Sequence, residues 1–208
     1  MISAKEVCPS LGDSARSIPA LADVLPDEPE YTFSDRLSGQ GGRFFTSSCF
    51  VWGEEDQLLV TKARWEVAGP PKAWAAAALG ERQAARARWF DAGTMGVVDA
   101  ADGKAAVLVP CSAPGTYVGG SHSLSVVVRL KRHEESGGPE PEQRLADLAV
   151  GAARSAHRTA RCDLSSGVPD TAPRVGTDAS GWQPAGPDSR TGFGACDVAA
   201  VALGGPLG

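Results

Sequence analysis

Five cysteines and three histidines are the residues of this chain best equipped for nucleophilic or metal chemistry. His157 and Cys162 form the closest His–Cys pairing, in "ARSAHRTARCDL" (Ala153 to Leu164), with Arg154, Arg158 and Arg161 around them. Such a pair can be two metal ligands, a thiolate with its base, or the end of a helix stapled to something else. Side chains on a helix face one another at separations of three or four residues, and these two are five apart. The spacing therefore disfavours a shared metal. His157 is expected at the boundary of a helix face and Cys162 as a covalent staple from the helix end. His122 and His133 are expected on the solvent side.

The other constellations fall short for stated reasons. Gly119-Gly120-Ser121-His122-Ser123 approaches a nucleophile elbow but lacks the closing glycine. It also leads into a strand, whereas the elbow needs strand, turn and helix to expose its serine. "SGQGGRF" supplies glycines without the lysine of a phosphate-binding loop. Glu54, Glu55 and Asp56 are expected as a solvated turn, and "DAADGKA" lacks the spacing and terminal glutamate of a calcium loop. The Arg154, Arg158, Arg161 face is expected as a solvated helix face, with anionic lipid or another acidic surface as its alternative partner. Trp52, Trp65, Trp74 and Trp89 are expected in core or half-buried positions, a groove lined by Trp65 and Trp74 being the functional alternative. Trp182 is expected to dock from a Gly/Pro-rich arm. No catalytic residue, cofactor-binding residue, metal ligand or cofactor is assigned.

The elements that would position these residues read as α+β. "LGDSARSIPALADVL" carries Asp13 or Ser14 as an N-cap and Ile18, Leu21 and Leu25 at helical spacing; Pro19 is expected to limit where that helix begins. "RFFTSSCFVW" and "QLLVTKARWEV" flank the four-residue loop "GEED" as a hairpin. In the second run Leu59, Thr61, Ala63, Trp65 and Val67 share one face, and Lys62, Arg64 and Glu66 the other, the alternation of a sheet with one wet side. "PPKAWAAAALGERQAARARW" is a helix started by Pro70 or Pro71 and interrupted at Gly80. A second hairpin turns at Asp102-Gly103, and "SHSLSVVVRLKR" adds a strand with Leu124, Val126, Val128 and Leu130 facing one way. After the polar "HEESGGPE", a long helix is expected from Pro141 to about Arg161. Its apolar stripe is Leu145, Leu148, Ala149, Ala152, Ala156 and Ala160. The sum is an antiparallel meander of about four to five strands packed against helices, notably this Ala-rich one. The domain spans residues 1–164, followed by a Gly/Pro/Ser-rich linker or arm over 165–194. A possible further ordered segment begins over 195–208.

The composition narrows the class. Hydrophobic residues make up 42% and charged residues 22% of 208, enough apolar material for a core, and the formal net charge is -5. That balance argues against nucleic acid as a partner. No run of about 18 apolar residues is present, so no membrane-spanning segment is expected. "MISAKEVCPS" lacks the apolar region of a signal peptide. Arginine outnumbers lysine 15 to 5 among abundant Ala, Gly and Pro, the usage of a high-GC genome.

Cys8, Cys49, Cys111, Cys162 and Cys196 are all widely separated, and none forms C-x-x-C. Zinc sites draw ligands in close local pairs, so spread single cysteines fit disulfides between distant elements. Cys162 is expected to bridge the helix end to Cys111 at a strand end, and Cys8 to bridge the N-terminal helix to Cys49 in the first strand. Cys196 is then unpaired. Two bridges imply an oxidising compartment, with any export signal or anchor lying upstream of this chain. With only alanine-rich burial, each closed loop would add roughly 3–4 kcal/mol in the loop-entropy account.

A Cys before an N-terminal helix, a Cys in the first strand, a Cys after a "VLVP" strand and an Ala-rich helix ending in Cys together resemble actinobacterial extracytoplasmic domains. These belong to lipoproteins and membrane-anchored secreted proteins of unknown function, especially of streptomycetes. The resemblance covers residues 6 to 164. It implies an exported, anchored protein with no known activity, and it carries over no catalytic residue. The function expected first is a non-enzymatic extracytoplasmic binding or structural module, with a protein or a cell-envelope component as partner. The alternatives are a hydrolase-type enzyme whose site the sequence does not reveal and a cytosolic protein with five reduced thiols.

Overall fold

The computed structural model describes residues 2, 6–39, 45–54, 56–67, 69–112, 122–131 and 139–176. The strands are β1 (Thr32–Ser38), β2 (Thr46–Trp52), β3 (Gln57–Val67), β4 (Arg88–Phe90), β5 (Met95–Asp99), β6 (Lys104–Pro110) and β7 (His122–Leu130). The helices are α1 (Ser14–Val24), α2 (Pro71–Leu79), α3 (Glu81–Arg86) and α4 (Pro139–Ala160), with a 3-10 turn at Pro9–Leu11. All seven strands join one antiparallel sheet in the order β1-β2-β3-β7-β6-β5-β4.

The α+β class holds, and the strand count changes from four or five to seven. The added strands are the two edges. In "TFSDRLS" six of the seven residues of β1 are exposed, so no buried face imprints alternation on the sequence. β4 is three residues at the end of an alanine-rich helical run. The topology is two meanders joined in the middle: β1-β2-β3, then β4-β5-β6-β7 returning so that β7 pairs with β3.

The strand alternation feeds two cores. Cys49, Val51, Leu59, Ala63, Val107, Val109, Leu124, Val126 and Val128 pack with Leu145, Leu148, Ala149, Ala152 and Ala156 of α4 on the inner face. On the outer face α2 brings Trp74, Ala75, Ala78 and Leu79 against Trp89, Met95, Val97, Ala106 and Leu108. The outer helices cover only the β4 to β7 half. Trp65 therefore belongs to the inner core and Trp74 to the outer one, so no single groove is lined by both. Val67, at the end of β3, stays in register opposite His122 but is 73% exposed, so it adds nothing to the core.

Local signals explain the helices. Asp13 caps α1, its side chain accepting a hydrogen bond from Ala15 N at 3.0 Å. Pro19 sits inside α1 rather than bounding it; one hydrogen bond to Ala15 O is forfeited. Pro71 opens α2, and Gly80, at φ 108°, separates it from α3. α4 places Glu140 and Glu142 in its first turn and Arg158 in its last, as the helix dipole favours. Beyond the expected stripe, Ala146, Val150 and Ala153 are also buried, because the Pro9–Leu11 turn and α1 pack on a second side of α4. Arg161 ends the helix at φ 55°, and Cys162 N donates to His157 O at 3.3 Å.

Candidate functional site

The four cysteines among the described residues are joined in two pairs. Cys8 lies at the entry to the Pro9–Leu11 turn and bonds to Cys49 in β2, with Cα atoms 6.0 Å apart. Cys111 follows β6 and bonds to Cys162 at the end of α4, with Cα atoms 4.9 Å apart. Both separations are ordinary for a disulfide. Cys162 is thereby committed, and His157 turns to the backbone instead: its Nε2 lies 2.8 Å from Leu164 O. Among the described residues, no group of three or more His, Cys, Asp and Glu is placed to hold a metal ion. Cys196, His133, Trp182 and the Gly119–Ser121 stretch lie outside the described residues, as do most of the 165–194 arm and all of 195–208. No helix among the described residues is long and apolar enough to cross a membrane.

Two surfaces concentrate positive charge, and they differ in what the charge does. The first is a groove of about 390 Å³ between α1 and α4, closed at one side by the chain at Asp170 and Thr171. Arg16 donates to Asp170 O at 2.6 Å, and Arg154 pairs with the Asp170 carboxylate. Arg144 Nε lies 2.8 Å from Asp23 Oδ2, and its Nη2 lies 3.2 Å from Glu140. Asp147 accepts from Ala172 N at 2.9 Å, and Gln143 donates to Ala172 O at 3.0 Å. The Arg144 pairs tie α4 to α1 and to its own first turn, and the other contacts bind residues 168–175 along α4, where Val168 and Ala172 are buried. Of the arginines singled out from the sequence, Arg154 is spent here. Arg158 lines the groove and makes no ion pair among the described residues. Below the groove, Gly12 and Gly151 let two backbones touch: a Cβ on Gly12 would sit 2.7 Å from Gly151 O.

A second charged cluster lies where α3 and α4 meet β4 and β5. Asp99 is 4% exposed and accepts from Arg86 Nε at 3.0 Å, while Arg88 pairs with Glu142 at 2.9 Å. Burial pushes the Glu142 carboxyl above its usual range, partly offset by Arg88, with the Asp99 charge adding to the rise. Asp102 moves the other way, held below the usual range chiefly by its hydrogen bond with Lys104, 2.6 Å away. Every carboxylate here is taken up by a cation of the fold, so the cluster works as a clamp between layers.

The open half of the outer sheet face is different. Cross-strand register sets Arg36 beside Ser48 and Lys62, Ser38 beside Thr46 and Arg64, and Ser34 beside Phe50, Val60 and Arg129. By alternation all of these point away from α4. Thr32, Ser34, Arg36, Ser38, Thr46, Lys62 and Arg64 are exposed, and Trp52 is 40% exposed. The Arg36 guanidinium lies over the Phe50 ring, 5.2 Å from its centre, and Arg64 is 3.4 Å from Glu66. Lys62 and Arg129 make no ion pair among the described residues. Sequence alternation locates Lys62, Arg64 and Glu66 on one face. Arg36 and Arg129 join them only through pairing with strands remote in sequence, so no local pattern announces the patch.

No protein-family model, curated protein sequence or solved structure matches the chain.

Proposed function

We propose that the chain is a non-enzymatic binding module of a secreted or membrane-anchored bacterial protein, working outside the cytoplasm through the open outer face of β1, β2 and β3. One observation carries the reading: this face holds Arg36, Lys62, Arg64 and Arg129 against a single carboxylate, Glu66, among its described residues. Arg16, Arg86, Arg88, Lys104, Arg144 and Arg154 are held by carboxylates of the fold, whereas Lys62 and Arg129 have none among the described residues and are available to something else. Two disulfides support the oxidising compartment, since such bonds are rare where thiols are kept reduced. A protein or an envelope component on a flat, polar sheet suits a module better than a hydrolase, whose substrate needs a concave site with convergent polar groups.

The test is sedimentation of the oxidised protein with envelope fragments of a high-GC Gram-positive bacterium. The wild-type chain is expected in the pellet, and a variant carrying Arg36→Glu, Lys62→Glu and Arg64→Glu in the supernatant. Equal behaviour of the two proteins, in either fraction, would overturn the reading.

A further inference from the structure

We infer that the partner of the open face is a linear polymer of sugar or polyol units joined by phosphodiesters; the inference rests on the binding-module reading and gives its ligand a chemistry. Charge comes first. The chain carries a net charge of -5, yet this face holds four cations and one carboxylate. An acidic body with one cationic face orients an approaching polyanion toward that face and repels it elsewhere.

Spacing comes next. Residues two apart on a strand lie about 6.7 Å apart, and neighbouring strands about 4.8 Å. Lys62 and Arg64 are therefore about 7 Å apart at their Cα atoms. Arg129 is diagonal to Lys62, at about 8 Å, and Arg36 lies two strands across, at about 10 Å. A polymer with one anionic group per sugar- or polyol-sized unit meets successive cations at such intervals. Arg36, Arg64 and Arg129 also bring the planar donor forks that engage phosphate oxygens in pairs.

The remaining residues distinguish the polymer from other polyanions. Thr32, Ser34, Ser38, Thr46 and Ser48 surround the cations with short hydroxyl side chains, able to donate to and accept from a hydroxyl-rich backbone. Surfaces that hold single-stranded nucleic acid stack successive bases on several rings. Here the Phe50 ring is half-buried and already covered by Arg36, leaving Trp52 as the exposed aromatic at the rim. The centre of this face exposes no apolar side chain to insert into a membrane, so an anionic bilayer would be held by charge alone, the case the vesicles test.

The experiment measures binding of the oxidised chain to purified poly(glycerol phosphate) by calorimetry at low and moderate salt. Polygalacturonate, dextran, an oligothymidine strand and phosphatidylglycerol vesicles are compared. Binding to poly(glycerol phosphate) is expected to be tightest, to weaken with salt, and to fall about fivefold for each of Arg36→Ala, Lys62→Ala and Arg64→Ala. Arg158→Ala and Arg82→Ala, exposed cations on other elements, are expected to leave it unchanged. Circular dichroism and a thiol count on each variant confirm that the fold persists. Equal or tighter binding to polygalacturonate, oligothymidine or vesicles overturns the inference, as does equal loss in the Arg158→Ala control. If the wild-type chain sediments with envelope fragments but ignores poly(glycerol phosphate), the ligand chemistry is wrong and the binding-module reading stands. If it does neither, both fail.

Discussion

On the helical side of the molecule, Arg16 of α1 and Arg154 of α4 both face Asp170 and hold its segment between the two helices, and Arg144 of α4 faces Asp23 of α1. On the outer sheet, among the described residues, Lys62 and Arg129 face none, and Arg36 lies over an aromatic ring. The first set is part of the architecture and the second is left at its surface. An exposed ion pair contributes little to stability, about 0–1 kcal/mol. The arginines of the groove therefore matter more for where a chain segment lies than for how stable the domain is. Cations of the sheet face that have no carboxylate partner among the described residues add no ion pair to the fold and repel one another.

That contrast can be broken most forcefully through the bridges. Replacing Cys111 and Cys162 together by serine is expected to cost about 4 kcal/mol in urea unfolding, the loop-entropy value for a closure of this length. A loss below about 1 kcal/mol would mean that packing alone holds α4 to the sheet. Gly12→Ala attacks the same side: a Cβ at φ 93° meets the backbone of Gly151, and a loss of about 2–3 kcal/mol is expected. Arg161→Gly should act in the opposite direction and gain about 0.5–1 kcal/mol, since Arg161 holds a left-handed conformation at φ 55°.

Glu142 gives a smaller effect that is read as a trend with pH. Its folded carboxyl binds a proton more readily than in the unfolded chain, so its contribution is fully present below the usual carboxyl pKa and is lost as pH rises through the folded value. Against Glu142→Gln, the wild-type protein is expected to lose relative stability between about pH 4 and pH 7, measured by denaturant midpoints across that range. A flat difference would mean that Arg88 cancels the cost of burial. The outer face should show the smallest change of all. Arg36→Ala, Lys62→Ala and Arg64→Ala together are expected to shift stability by less than about 0.5 kcal/mol, while the same three substitutions weaken ligand binding. A large loss of stability would erase the distinction between the two sides.

The sequence carried the parts of this fold that burial imprints on a strand or helix. β3 alternates buried and exposed residues from Thr61 to Arg64, and β7 alternates buried and half-buried ones from Val126 to Leu130, so their faces were readable. The α4 stripe was readable because its leucines and alanines recur at helical spacing. β1 was not, because an exposed edge strand has no apolar face to display, and β4 was too short to show a period. The burial of Ala146, Val150 and Ala153 depends on α1 crossing a second side of α4, a tertiary fact with no local trace. The candidate site was half legible for the same reason. Lys62 and Arg64 alternate along one strand, while Arg36 and Arg129 reach them through hydrogen-bonded neighbours far away in sequence.

The two bridges also fix how a pull on the chain would be carried. Tension applied ahead of Cys8 passes through its bond to Cys49 and enters β2 directly. Tension applied beyond residue 176 peels the segment back to Cys162 and then passes to Cys111 at the end of β6. Between those points the load crosses β2, β3, β7 and β6, four neighbouring strands in an unbroken ladder. α1 lies in the loop closed by the first bond and α4 in the loop closed by the second, so neither helix bears the force. Tugged from both ends, the domain would lengthen only by the chain lying outside the two bonds until the ladder itself gave way.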